Sequence, residues 1–306
     1  MVMDIQQVLE LIHSEVLPFV PKGKVASYIP ALATVPPNRL AICVHTNEGV
    51  VYSVGDVSIP FSIQSISKVF GFTLAYKILG GDIWKRLGKE PSGNSFNSLV
   101  QLEHEQGIPR NPFINAGALV ISDMLLSLYP NPQQVLLDFV RRMANEPSIN
   151  YNYDVAKSEK GAGARNAALA YFMKSFGNIQ NSVEDVLDFY FLQCSLEMST
   201  LCLSKSFQYL ANHGVVPSTS EQILTISQAK RISALMITSG LYNESGDFAY
   251  RVGMPAKSGV GGGIVAVIPK KLSICVWSPP LNEFGNSLVG IEALERFTSY
   301  TGVSIF

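Results

Sequence analysis

Apolar residues recur along this chain in two rhythms. Near the start, Ile5, Val8, Leu9, Ile12 and Val16 fall at helical spacing, which predicts an amphipathic helix. Residues 39–46 and 50–54 are rich in β-formers, and Asn47-Glu48-Gly49 between them is a turn signal, so the two runs predict a hairpin. Far downstream, residues 248–252, 263–268 and 272–277 predict three more strands, with Pro269-Lys270-Lys271 turning the last pair. A final helix is expected over 286–300, where Leu288, Ile291, Leu294 and Phe297 span its turns.

Between these ends the rhythm is helical, over 62–79, 116–128, 132–143, 163–176, 183–193, 200–212 and 221–238. Clusters such as Tyr129-Pro130-Asn131-Pro132 punctuate the segments. Alternating βα units, internal repeats and low-complexity linkers are all missing from the pattern. The expected architecture is therefore α+β: one antiparallel sheet built from both chain ends, with a helical lobe inserted between them. A single domain of residues 1–306 would then comprise an α/β lobe (about 1–60 and 245–306) and a helical lobe (about 61–244).

Composition narrows the partners. The 306 residues are 47% hydrophobic and 15% charged, which describes an ordered globular chain. A formal net charge of −1 leaves no basic field for nucleic acid or anionic lipid. No stretch approaches the length of an apolar membrane span. The first eighteen residues carry Asp4, Glu10 and Glu15 and no Lys or Arg, unlike the basic start of a secretory signal. Cys43, Cys194, Cys202 and Cys275 show no paired spacing and are expected as reduced, mostly buried thiols. A cytoplasmic protein is the expectation. His13, His45, His104 and His213 are scattered, and no metal site or cofactor is expected.

Candidate chemistry centres on Gln64-Ser65-Ile66-Ser67-Lys68, which runs from a proline into a predicted helix. With Ser65 in the first turns, Lys68 lies one turn on, about 4.5 Å along the axis and on nearly the same face. A serine hydroxyl is a poor nucleophile until a base takes its proton, and a desolvated lysine can be that base. The spacing alone does not decide, because Ser227-Gln228-Ala229-Lys230 matches equally well. The alternative for either pair is the exposed face of an ordinary helix; position at a helix start favours Ser65 and Lys68. A second element, Lys257-Ser258-Gly259-Val260-Gly261-Gly262-Gly263, precedes an apolar strand. Penicillin-recognising enzymes combine SxxK with a late Lys-Thr/Ser-Gly strand in this order. Small residues around Val260 would let backbone N–H groups approach a substrate oxygen. The plainer reading of this segment is a glycine-rich turn into a strand.

These residues resemble the serine-dependent glutaminases, a family with a β-lactamase-like fold. The landmarks are Gly23-Lys24-Val25-Ala26-Ser27-Tyr28-Ile29-Pro30, Phe61 through Lys68, Arg110-Asn111-Pro112-Phe113-Ile114-Asn115-Ala116-Gly117-Ala118, and Lys257 through Gly263. The resemblance covers most of the chain and implies hydrolysis of L-glutamine to L-glutamate and ammonia through a glutamyl-Ser65 ester. It makes Ser65 the nucleophile and Lys68 its base, and gives the oxyanion to the N–H groups of Ser65 and Val260. It brings Asn115, Glu159, Asn166, Tyr190, Tyr242 and Tyr28 to the substrate, with Glu159 facing its ammonium. One of Tyr242, Tyr190 or Tyr28 would shuttle protons, with a pKa lowered by the lysine. It also implies a homo-oligomer, a dimer or a tetramer.

Read singly, most of these residues mean less. A Glu in a polar loop is usually a solvated charge, an Asn beside Ala and Gly a cap, and a Tyr in an apolar run a core residue. Two other functions compete: a penicillin-recognising hydrolase, and a non-catalytic sensor of the same fold. Against the first, Tyr190 stands where a Ser-x-Asn motif would fall. Against the second, Ser65 and Lys68 are both present.

Overall fold

The computed structural model of the protein describes residues 4–93 and 98–306. Among the described residues eight strands form two sheets: β1 (Ala41–Thr46), β2 (Val51–Gly55), β3 (Pro60–Ser62), β4 (Asn150–Tyr151), β5 (Leu196–Ser199), β6 (Ala256–Gly259), β7 (Gly263–Ile268) and β8 (Leu272–Trp277). The larger sheet runs β2-β1-β8-β7-β6 and is antiparallel throughout. The N-terminal hairpin thus joins the C-terminal strands through Cys43 opposite Cys275 and Ala41 opposite Trp277. One sheet from both chain ends is what the patterning predicts.

Strands β1, β7 and β8 are buried along their whole length, because both faces of the sheet are covered. Ile42, Val44, Ile264, Ala266, Ile274 and Val276 point into a core shared with the helices Ile5–Val16 and Leu288–Thr301. Their strand neighbours Ala41, Val265, Val267, Cys275 and Trp277 point the opposite way, into the larger core of the inserted helices. This period-2 division of one strand between two cores needs apolar residues at successive positions.

Several boundaries differ from the sequence expectation. Residues 248–252 are not a strand: 248–251 lie in the helix Ser245–Arg251, and Val252 is its C-cap. Phe248 and Val252 are apolar at i and i+4 as well as at even spacing, and Tyr250 between them is 91% exposed, which only the helical reading allows. The third late strand is instead β6, which carries Lys257 and Ser258. The helix expected from Ser62 starts at Ser67, after β3 and a 3-10 turn over Gln64–Ile66. Segment 200–212 breaks into Thr200–Ser206 and Gln208–Ala211, and 221–238 becomes helical only from the Thr225 cap, over Ile226–Ser239. A small second sheet, β3-β5-β4, was not expected. Its strands are two to four residues long, too short for a period to show.

The two sheets meet at the turn after β6. A Cβ at Gly261 would lie 2.2 Å from the Ser62 carbonyl oxygen, so only glycine lets these backbones close. The neighbouring Trp277 ring stacks on Phe61 at 4.8 Å and donates from its indole nitrogen to the Gly261 carbonyl at 3.0 Å. Gly261→Ala is expected to cost about 2–4 kcal/mol of stability, since the obstacle is backbone and cannot rotate away. Thermal or urea unfolding of the variant measures it.

Candidate active site

Ser65 lies in the 3-10 turn that leads into the helix Ser67–Leu79, and Lys68 is the second residue of that helix. Both are buried, Lys68 to 1% exposure. The decoy pair Ser227 and Lys230 is exposed on the helix Ile226–Ser239. Burial therefore separates the two SxxK matches that spacing could not. Gln64, just before Ser65, takes φ +52°, a left-handed conformation costly for a non-glycine residue. Tyr242 does the same at φ +50°. Of the seven non-glycine residues with positive φ among the described residues, these two lie beside one cavity.

The cavity has a volume of about 200 Å³ and is lined by Tyr28, Ser65, Asn115, Glu159, Asn166, Tyr190, Tyr242 and Val260. Every residue the resemblance pointed to is therefore on its wall, except Lys68, which sits directly behind Asn115. The Lys68 Nζ donates to the Asn115 Oδ1 at 2.7 Å and to the Phe113 carbonyl at 3.2 Å, and lies 5.9 Å from the Tyr190 ring centroid. Asn115, the first residue of the helix Asn115–Leu128, donates in turn to Asn166 Oδ1 at 2.9 Å. No carboxylate pairs with Lys68 among the described ion pairs. Burial accordingly lowers its pKa to about 8, against smaller raising effects from Cys194 and Glu159.

Glu159 is not in a polar loop; it projects from the helix Tyr153–Gly161, which starts at an Asn152 cap. The charged face of this short helix looks solvated in sequence, yet Glu159 is only 8% exposed. Burial raises its carboxyl to about pKa 7, opposed by a hydrogen bond with Gln64 and by the Lys68 charge. A carboxylate kept this far from water is poised to receive a cation.

The tyrosines correct one expectation. Tyr190 and Tyr242 have pKa values pushed up, chiefly by burial, and Tyr28, although 59% exposed, shifts in the same direction, so none is a phenolate relay primed by a nearby lysine. The Tyr242 hydroxyl faces the Ser65 and Ser258 side chains, which temper the rise. It thus faces Ser65 as a protonated hydroxyl, a group able to hand a proton on while taking another. Beneath it Lys257 is fully buried, its Nζ 4.7 Å from the Tyr242 ring centroid. Lys257 donates to the Gly240 carbonyl at 2.9 Å and the Ser258 carbonyl at 2.7 Å. Burial, then the charge of Lys68, depresses its pKa strongly.

Sequence reasoning missed Gln64, Ile29, Ala162, Arg165 and Cys194, which complete the lining. Gln64 stood inside the quoted motif, but nothing in a glutamine announces a left-handed backbone. Cys194 ends an apolar helix and has no sequence signal; burial raises its thiol to about 12. No group of His, Cys, Asp and Glu among the described residues could hold a metal ion.

The antiparallel sheet from both termini, the inserted helices and a lysine-backed serine at their junction place the molecule in the β-lactamase-like α+β class. Within that class the comparisons point one way. A model of the Glutaminase family matches residues 23–306, and the chain belongs to that family. It is 54% identical over 301 residues to a glutaminase of Marinomonas sp. (strain MWYL1), covering 98% of this chain and 99% of that one. It is 55% identical over 305 residues to one of Aliarcobacter butzleri (strain RM4018), covering 99% and 100%. Among solved structures, the probable glutaminase ybaS superposes with a TM-score of 0.92 at 34% identity, over 99% of each chain. A probable glutaminase from Bacillus subtilis complexed with 6-diazo-5-oxo-L-norleucine superposes with a TM-score of 0.89 at 33% identity, over 100% of this chain and 97% of that one.

Proposed function

We propose that this protein hydrolyses L-glutamine to L-glutamate and ammonia through a covalent glutamyl-Ser65 ester. The observation that carries the reading is the meeting, in one small cavity, of a buried serine, a buried lysine without a carboxylate partner, and a desolvated glutamate. A neutral lysine amine has two N–H bonds and one lone pair. Asn115 and Phe113 occupy the two donor directions, which leaves the lone pair for the Ser65 proton. Ser65 Oγ then bonds to the side-chain amide carbon, and the carbonyl electrons move onto its oxygen. The backbone N–H groups of Ser65 and Val260 receive that oxyanion. As the C–N bond breaks, the nitrogen takes the proton held by Lys68, passed on through the Tyr242 hydroxyl, and leaves as ammonia. Water attacks the ester by the same route in reverse, and Ser65 regains its proton as glutamate departs.

Glu159 would pair with the substrate ammonium, while Asn115, Asn166, Tyr190 and Tyr28 hydrogen-bond its polar end. The 6-diazo-5-oxo-L-norleucine in the Bacillus subtilis neighbour, an amino acid of glutamine's length, is in keeping with this. We read the whole chain as one catalytic domain, since segments of both lobes wall the cavity, Tyr28 and Val260 from the one and Asn115 and Tyr190 from the other. A cytoplasmic location agrees with four cysteines present as thiols, and no described helix is long and apolar enough to cross a membrane. A homo-oligomer, dimer or tetramer, is the expectation from the family; light scattering on the purified protein decides it.

Ammonia release from glutamine, asparagine and γ-glutamyl amides tests the reaction and the side-chain length accepted. Asparagine is expected to lose at least about 100-fold in kcat/KM, because its amide carbon stops one methylene short of Ser65. Equal turnover of both would overturn the assignment.

Glu159 carries a second test. Its folded pKa of about 7 exceeds the ordinary 4.5, so its stabilising form is the protonated one, favoured below pH 4.5 and lost as pH rises through 7. Above pH 7 the buried carboxylate costs stability in the empty enzyme. Glu159→Gln is therefore expected to gain about 1–3 kcal/mol of stability at pH 8. The same variant should lose about 100-fold or more in kcat/KM, mostly through KM. Unfolding at two pH values and steady-state kinetics check both halves.

A further inference from the structure

We infer that Glu244 is a positioning residue for the reaction: its carboxylate pins the loop 281–287 against the turn that holds Tyr242. The inference rests on the reading of Tyr242 as the hydroxyl that serves Ser65. Glu244 is 8% exposed and ends the 3-10 turn Tyr242–Glu244. Its carboxylate accepts from Asn282 Nδ2 at 3.0 and 2.9 Å and from Asn286 Nδ2 at 2.6 Å. A buried carboxylate satisfied by amide N–H groups and not by a cation is costly unless it keeps every one of them.

What it holds is specific. Asn282 Oδ1 accepts from the backbone nitrogens of Phe284 and Asn286 at 3.0 and 3.1 Å, which fixes the loop's own shape. Asn286 also donates to the Leu241 carbonyl at 3.3 Å, on the other side of Tyr242. Gly285 then lies so close that a Cβ there would come 4.0 Å from the Tyr242 ring and 3.8 Å from Val260. On the inner side, Ser245 Oγ accepts from the Leu241 nitrogen at 3.0 Å and donates to the Tyr242 carbonyl at 3.3 Å. Tyr242 is thus clamped from both flanks in a left-handed conformation its side chain disfavours. Without the outer clamp the residue can relax toward ordinary φ and carry its hydroxyl away from Ser65.

The test is a double-mutant cycle on the full chain. Glu244→Gln replaces one acceptor oxygen with an NH₂ that faces the asparagine amides. It is expected to lower kcat about 30-fold with KM changed less than about 3-fold, since a small misplacement of a reacting group acts on the chemical step. In a Tyr242→Phe background the same change should cost less than about 2-fold, because the positioned hydroxyl is already gone. Asn282→Ala, on the outer side of the clamp, should repeat the pattern with a smaller drop of about 10-fold, and takes the place of Glu244→Gln in the cycle if that variant does not fold. Full kcat in the clamp variants beside an impaired Tyr242→Phe, or losses that simply multiply, overturn the inference. Full kcat in Tyr242→Phe itself would instead overturn the role given to Tyr242.

Discussion

Ser65→Ala is expected to lower kcat for glutamine by at least about 10⁴-fold and to leave no covalent adduct with a diazoketone analogue of glutamine. The size follows from the chemistry: without Oγ no ester forms, and water must attack an unactivated amide in a cavity arranged for a serine. The fold should survive, because the hydroxyl sits on the wall of a cavity and its removal empties no core. Glutamine should still bind, since Glu159, Asn115 and Asn166 are untouched. Calorimetric titration of the variant with glutamine separates that outcome from a collapsed site. Intact-mass analysis of the wild type, quenched during turnover, should in parallel show a glutamyl adduct that Ser65→Ala lacks. Ammonia release persisting in the variant would falsify the covalent route.

How legible this was depends on how much of each feature lives in local pattern. The helices Asn115–Leu128, Pro132–Ala144 and Val183–Cys194 were readable to within a residue or so, because each carries a helical rhythm, and the last two a clear stop and start. Strands β7 and β8 were readable as continuous apolar runs with a turn between them. Phe248–Val252 misled because five residues satisfy both periods, and only solvent at Tyr250 decides between them. Strands β3, β4 and β5 were illegible because a two-residue strand is defined by its partner and not by its sequence.

The site divides along the same line. Ser65, Lys68 and Val260 sit in local motifs whose chemistry can be argued. Asn115, Glu159, Asn166, Tyr190 and Tyr28 come from five separate segments, and only a whole-chain resemblance could gather them. Two electrostatic facts needed three dimensions. Glu159 reads as a solvated charge until the helix that carries it is packed against the cavity. The tyrosines read as acidified phenols until burial is seen to outweigh the lysines beside them. A lysine near a phenol lowers its pKa only when it is itself charged, and Lys257 and Lys68 are both pushed toward the neutral form.

That last point shapes the second large effect, at Lys68. Lys68→Met keeps the length of the side chain and removes the base; kcat should fall by about 10³-fold or more. Lys68→Arg should do no better, because a guanidinium stays charged and cannot take the serine proton. The pH profile distinguishes loss of a base from damage to the site. On the proposed mechanism both groups work deprotonated in the wild type, Glu159 as a carboxylate and Lys68 as a free amine. Its kcat/KM should therefore climb as pH rises through about 7, set by Glu159, and again through about 8, set by Lys68, before it levels. In Lys68→Met the upper limb should vanish while the lower one remains. The lower limb should also move upward, because the Lys68 charge that helps keep Glu159 ionised is gone. A wild-type profile that falls through pH 8 would mean that the working form of Lys68 is the cation, and that another group takes the serine proton. Burial of Lys68 beside two neutral acceptors, with no carboxylate in ion-pair contact, argues for the free amine, because these acceptors and the weaker pull of Glu159 only partly repay an ammonium ion for the water it has lost.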